Sequence, residues 1–237
     1  MSETKNILIS GSSRGLGREL SIILKVMGFN VITMGFNTRA EVDIKCDLLD
    51  KNALNLAIRR TYDSFGEIDV LVCNAGTGKI PPETLNEEEL AAFFLKKNLH
   101  TAQNLISATS PYLKSPGAHI VGISSIAAIS ETTGAPQGYS KAKKELNRVF
   151  QIEALSLASR GIRVNLISPG NIFFEGSRWD EIKKEDPIRV ANLLNRDVPL
   201  RSFISPAEIA DAIVFLSSKS AQNITGINLI IDGGQIL

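Results

Sequence analysis

Short, almost wholly apolar runs alternate along this chain with longer stretches in which apolar residues recur every three or four positions. The runs at 6–10, 31–34, 68–73, 118–123, 163–168 and 227–231 read as buried strands, and Val42, Ile44 and Cys46 alternate as a further short one. The periodic stretches read as helices. One carries Leu16, Leu20, Ile23, Leu24 and Met27 on a single stripe and stops at Gly28. A second is capped by Asp50, turns Leu54, Ala57, Ile58, Thr61 and Phe65 inward and closes at Gly66. Asn86-Glu87-Glu88-Glu89 is a capping box that predicts a helix to about residue 110. A long helix holds Tyr139 near its start, packs Leu146, Val149, Phe150, Glu153 and Leu157, and stops at Gly161. Ser205-Pro206-Ala207-Glu208 supplies an N-cap, a proline at the first helical position and the acid of a second capping box. This order predicts one α/β domain over residues 1–237: a Rossmann-type doubly wound, mostly parallel seven-stranded sheet flanked by helices. Two segments stand apart. Residues 35–41 are too few for an ordinary crossover helix, and residues 171–202 are irregular and mixed in charge.

Composition narrows the function classes. The 237 residues carry a net charge of +1 and are 43% apolar, which gives no electrostatic footprint for a nucleic acid or an anionic membrane. No apolar run approaches the roughly 18 residues of a membrane span, and the polar start of the chain has no signal-peptide core, so a cytoplasmic location is expected. Cys46 and Cys73 both sit in apolar runs and read as buried free thiols rather than a disulfide, and no metal site is expected.

Candidate chemistry gathers at the ends of the strands. The first strand runs into Gly11-Ser12-Ser13-Arg14-Gly15-Leu16-Gly17 and then a helix, the context in which glycines bring backbone close to a pyrophosphate at a helix N-terminus. The spacing is Gly-x-x-x-Gly-x-Gly, not the commoner dinucleotide fingerprint. The fourth strand ends in Asn74-Ala75-Gly76, at the edge where open α/β sheets bind ligands. Tyr139 and Lys143 stand one helical turn apart and point the same way. A phenol can donate a proton to a carbonyl oxygen, and an adjacent ammonium would pull its pKa toward the working range. Ser125 at the end of the fifth strand can hydrogen-bond the same oxygen. Asn98, inside a predicted helix, either faces solvent or has work for its amide.

Together these landmarks resemble the short-chain dehydrogenase/reductase family over nearly the whole chain. Gly11, Gly15 and Gly17 match its TGxxxGxG turn with Ser10 in place of the threonine, and Asn74-Ala75-Gly76 match its NNAG with Cys73 in place of the first asparagine. Asp47-Leu48 match the pair set against the adenine, and Pro169-Gly170 the motif beside the nicotinamide. Asn98, Ser125, Tyr139 and Lys143 match the catalytic tetrad. The resemblance implies Tyr139 as general acid/base and Lys143 as the ligand of the nicotinamide ribose that lowers the phenol pKa. It implies Ser125 as the group orienting the substrate oxygen, with Ser124 as the alternative serine, and Asn98 as holder of a water that links Lys143 to solvent. Where the family often has a threonine this chain has Phe174, so carboxamide recognition is expected to rest on backbone near Ile172. The turn residues Gly11 to Gly17, with Asn37 and Arg39 beyond the second strand, complete the expected cofactor contacts. Charge argues the cofactor: Gly35-Phe36-Asn37-Thr38-Arg39 offers no acid for a 2′-hydroxyl, while Arg14 and Arg39 suit a 2′-phosphate, so NADP(H) is favoured over NAD(H). The expected activity is a ketone–secondary alcohol oxidoreductase on a small-molecule substrate, similar to 3-oxoacyl-carrier-protein reductases, with residues 171–202 covering the substrate. A dehydrogenase of a sugar or polar metabolite and a cofactor-sensing binding protein are the alternatives. The resemblance also implies a homotetramer or homodimer pairing the long helices that begin near Asn86 and Tyr139.

Overall fold

A computed structural model describes residues 4–37, 40–131 and 134–237. Seven strands, β1 (Asn6–Ser10), β2 (Asn30–Gly35), β3 (Ile44–Lys45), β4 (Val70–Cys73), β5 (His119–Ile123), β6 (Arg163–Pro169) and β7 (Asn228–Ile231), form one sheet in the order 3-2-1-4-5-6-7. All the pairings are parallel. Successive side chains leave a strand on opposite faces, so each strand feeds two cores. Leu8, Leu71, Ile120 and Leu166 pack with α2 (Lys51–Phe65), α4 (Thr101–Thr109) and α5 (Gln137–Ala158). Ile7, Ile9, Val72, Val121 and Ile167 pack with α1 (Gly15–Val26) and α8 (Pro206–Leu216). The strand order reverses between β1 and β4, which opens a crevice at the carboxyl edge of the sheet.

Several expectations are revised. The third strand is a two-residue edge pairing, shorter than the alternation over 42–46. The helix capped by Asn86 is not continuous: α3 (Glu87–Leu95) passes through a π-helical turn at Lys96–His100 before α4. Met27 and Phe65 sit at helix ends and are 43% and 40% exposed, off the inner faces read from periodicity. Residues 171–202 contain two helices, α6 (Arg178–Glu185) and α7 (Pro187–Asp197), capped by Ser177 and Asp186. The chain then returns through Leu200, whose N–H bonds Gly233 O (3.0 Å), tying this segment to the C-terminal turn. Arg39 lies outside the described residues. No helix among the described residues is long and apolar enough to cross a membrane.

At the opposite edge of the sheet a buried polar chain joins three elements. Asn165 Oδ1 accepts from Ile227 N (3.1 Å) and its amide donates to Ile224 O (2.9 Å), which fixes the amide orientation. Asn165 Nδ2 therefore donates to His119 Nε2 (3.0 Å), leaving Nδ1–H to donate to Ser217 Oγ (3.2 Å), which in turn donates to Ile213 O (2.7 Å). A second ring proton would face an N–H donor, so His119 is held neutral, and burial pushes its pKa down to about 3. The unfolded chain takes up this proton near pH 6.5 and the folded chain only near 3. Stability from His119 is therefore complete above about pH 6.5 and is lost as pH falls toward about 3, with a limiting slope of about 1.4 kcal/mol per pH unit. Urea titrations between pH 7 and 5 should show this decline in the wild type and a shallower one in His119→Gln.

Candidate active site

The first turn of the site is built on close backbone approach. Gly11 and Gly15 hold positive φ (71° and 62°), and a Cβ on Gly17 would lie 2.4 Å from Gly11 O and 2.5 Å from Asn74 Nδ2. Ser12 N donates to Met34 O (3.0 Å) and Ser12 Oγ to Ile9 O (2.7 Å), which anchors the turn to β1 and β2. Across it, Ser10 Oγ accepts from the backbone of Asn74 and Ala75 (3.1 and 3.2 Å), while Asn74 Nδ2 donates to Ser10 O (3.0 Å). The serine that replaces the expected threonine thus locks two strand-end turns together.

Among the helices, α2, α3, α6, α7 and α8 each have an N-cap side chain that accepts a backbone N–H. Helices α1 and α5 have none; at α1, Arg14 occupies the N-cap without a side-chain bond, no acid stands in the first turn, and a Cβ on Gly15 would meet nothing within 4 Å. A bare N-terminus with open space above it suits a pyrophosphate. Ser13 Oγ is buried without a partner and points at Gly35, the last residue of β2. The sequence beyond Gly35 holds no acid until Glu41, and Asp43 turns back to accept from Thr33 N and Oγ1 (2.8 and 2.7 Å). Asp47 accepts from Leu49 N (2.9 Å), and the buried Leu48 accepts from Asn104 through its carbonyl (2.9 Å), which fixes both beside the end of β3. These residues form a cradle that fits a dinucleotide.

Beyond the turn lies a cavity of about 200 Å³. Leu16, Asn74, Gly76, Asn98, Ser125, Tyr139, Lys143, Pro169, Gly170 and Ile172, all singled out by the sequence, line it together with Thr77, Gly78, Ile123 and Ser124. Lys143 is 4% exposed; its ammonium donates to Ile123 O (2.7 Å) and lies 5.9 Å from the centre of the Tyr139 ring. Burial pushes the Lys143 pKa down to about 8. The Tyr139 hydroxyl is moved the other way: burial raises its pKa, and a hydrogen bond with Ser125 offsets part of the rise. The expected downward pull of Lys143 on the phenol is not among the influences acting here; burial and Ser125 are. Ser125 Oγ accepts from Ala127 N (3.1 Å), capping a short 3₁₀ turn, while Ser124 Oγ is spent on Asn147 Oδ1 (2.6 Å).

Asn98 sits in the π turn, 1% exposed. Its Oδ1 accepts from Thr77 N (3.0 Å), and its Nδ2 donates to Thr77 O and Phe94 O (both 3.0 Å). The side chain therefore pins the loop after β4. Thr77 and Asn147 were not singled out by sequence reasoning; their partners lie 21 and 23 residues away along the chain and leave no local signal.

A sequence model described as enoyl-(acyl carrier protein) reductase matches residues 12–235. The chain belongs to the short-chain dehydrogenase/reductase family. The 3-oxoacyl-acyl-carrier-protein reductase of Staphylococcus aureus is 29% identical to this dehydrogenase/reductase over 255 residues, covering 100% of both chains. The L-rhamnose 1-dehydrogenase (NAD(P)(+)) of a Sphingomonas species is 28% identical over 98% of this chain and 96% of its own. The ligand-free structure of Thermoplasma acidophilum aldohexose dehydrogenase superposes with a TM-score of 0.85 at 27% identity, covering 98% of this chain and 94% of that one.

The buried amine of this dehydrogenase/reductase yields a stability test. Folded Lys143 loses its proton near pH 8 and an exposed lysine only near 10.4, so between these values the unfolded chain binds more protons. The contribution of Lys143 to stability is at its lowest below about pH 8 and rises with pH through that window. Lys143→Met is expected to match or exceed the wild type in urea resistance at pH 7 and to lose that rise. A clearly lower midpoint at pH 7 would mean that the bond to Ile123 outweighs the cost of burying the ammonium.

Proposed function

We propose that this oxidoreductase interconverts a ketone and a secondary alcohol, with Tyr139 as the proton donor and acceptor. The observation that carries the reading is the convergence of Tyr139, Ser125 and Lys143 on one cavity beside the uncapped N-terminus of α1. In the reducing direction the Tyr139 hydroxyl gives its proton to the carbonyl oxygen, and Ser125 donates a hydrogen bond to the same oxygen as charge develops there. Lys143 binds the ribose hydroxyls of the cofactor, and its ammonium then favours the phenolate. Gly11, Ser12, Ser13, Arg14, Gly15, Leu16 and Gly17 cradle the pyrophosphate and adjoining ribose, and Asp47, Leu48 and Asn37 bound the adenosine. Asn74, Ala75, Gly76, Pro169, Gly170 and Ile172 flank the nicotinamide, and the loop that Asn98 pins keeps Gly76 in register. When bound, the nicotinamide supplies or receives the hydride. The unpartnered Ser13 Oγ, the position of Arg14 and the lack of an acid at the end of β2 support NADP(H) over NAD(H).

Residues 171–202 cover the substrate in this reading. The full-length match to a 3-oxoacyl-acyl-carrier-protein reductase supports a 3-oxoacyl-thioester-like ketone. A polyhydroxy substrate is the second reading, favoured by how the cover disposes of its cations. Arg178 pairs with Glu181 (3.2 Å), Lys184 with Asp180 (2.7 Å), and Lys183 lies over the Phe173 ring (5.0 Å). Self-association through α3, α4 and α5 belongs to the same proposal; Ile152 and Leu155 on α5 are 49% and 82% exposed.

Two measurements test the proposal. Tyr139→Phe should lower turnover by at least about 10³-fold while cofactor affinity stays within about twofold; retained turnover would remove Tyr139 from the chemistry. NADPH should bind more tightly than NADH, and oxidation of NADPH followed at the nicotinamide absorbance should respond to members of a panel of ketones. Clear NADH preference would overturn the cofactor assignment, and binding without oxidation across the panel would favour the sensor alternative.

A further inference from the structure

Helix α3 reaches the site through one side chain. Of its residues only Phe94 is buried, with 0% exposure, and the ring stands edge-on to Tyr139 with centroids 6.0 Å apart and planes at 69°. The Phe94 carbonyl accepts from Asn98 Nδ2 (3.0 Å), so the residue touches one tetrad member through its ring and another through its backbone. The contact depends on the residue before Tyr139. A Cβ on Gly138 would come within 2.9 Å of Phe94 Cδ2 and 3.4 Å of Ala91 Cα. Gly138 lies in the first turn of α5 and does not have positive φ, so its backbone has no need of glycine; alanine there would ordinarily favour the helix. What requires glycine is the room that the Phe94 ring takes up.

We infer that Phe94 is a positioning residue, a wedge between α3 and α5 that sets where the Tyr139 hydroxyl lies, and that Gly138 is the space it is fitted to. The inference rests on the reading of Tyr139 as the proton-transfer group. A ring held by edge contact on one side and by its own helix on the other has one favoured placement. Moving it by a fraction of an ångström changes the approach of the hydroxyl to a substrate oxygen while leaving the glycine turn untouched.

The test is a double-variant cycle on Gly138→Ala and Phe94→Leu. In the wild-type background Gly138→Ala is expected to lower kcat at least about tenfold, leave cofactor affinity within about twofold, and move the pH midpoint of kcat by about half a unit or more. In the Phe94→Leu background, where the ring no longer fills the space, the same change should cost less than about twofold. Equal costs in both backgrounds, or no effect of Gly138→Ala on kcat, would overturn the wedge. Should Gly138→Ala fail to fold alone, a folded double variant supports the contact and an unfolded one overturns it. Tyr139→Phe assayed alongside separates the two levels. Turnover surviving in Tyr139→Phe removes the reading of Tyr139, whereas an inactive Tyr139→Phe with additive kcat effects removes the wedge alone.

Discussion

The site depends on two strand-end turns approaching more closely than side chains allow. Gly17 stands against the Gly11 carbonyl, the Asn74 amide fills the space above them, and Ser10 binds the Asn74–Ala75 backbone from below. Any Cβ at Gly17 would separate β1 from β4 at the point where the sheet order reverses. The crevice between these strands is the place where a dinucleotide meets a helix N-terminus. The turn is therefore fixed by contacts within the chain itself.

A second constraint is electrostatic. Lys143 is carried into the sheet edge by α5, loses nearly all contact with water, and receives a backbone carbonyl in exchange. One hydrogen bond replaces only part of an ammonium's hydration, which is why the proton is held less firmly than on an exposed lysine. Tyr139, one turn earlier, is shifted against ionisation. Burial thus pushes each of the two groups toward its neutral form.

Much of this was legible along the chain. Short apolar runs bounded by glycine turns gave the strands, and the capping boxes at Asn86 and Ser205 marked helix starts that the structure reproduces with both reciprocal hydrogen bonds. The π turn at Lys96–His100 was not legible, because one extra residue in a turn barely disturbs a periodicity of 3.6 over two short helices. Helices α6 and α7 were hidden by their charges, although Ser177 and the pair Asp186-Pro187 are ordinary start signals and Asp180–Lys184 an ordinary helical pair. The partners of Asn98, Ser124 and His119 lie 21, 23 and up to 98 residues away, and no local pattern encodes such contacts. Pairing across the fold, rather than residue type, decides which polar side chains are spent on structure and which stay available.

The uncapped start of α1 has a consequence outside the reaction. Helices α2, α3, α6, α7 and α8 each have an N-terminal N–H bonded by a capping side chain, whereas α1 leaves its first N–H groups facing the crevice. A ligand that satisfies them binds the folded chain and not the unfolded one, adding about 2.7 kcal/mol at a hundredfold excess over its dissociation constant. The persistence of this protein in a cell should then follow the size of the nucleotide pool: depletion would leave more molecules open to proteolysis, and abundance would preserve them.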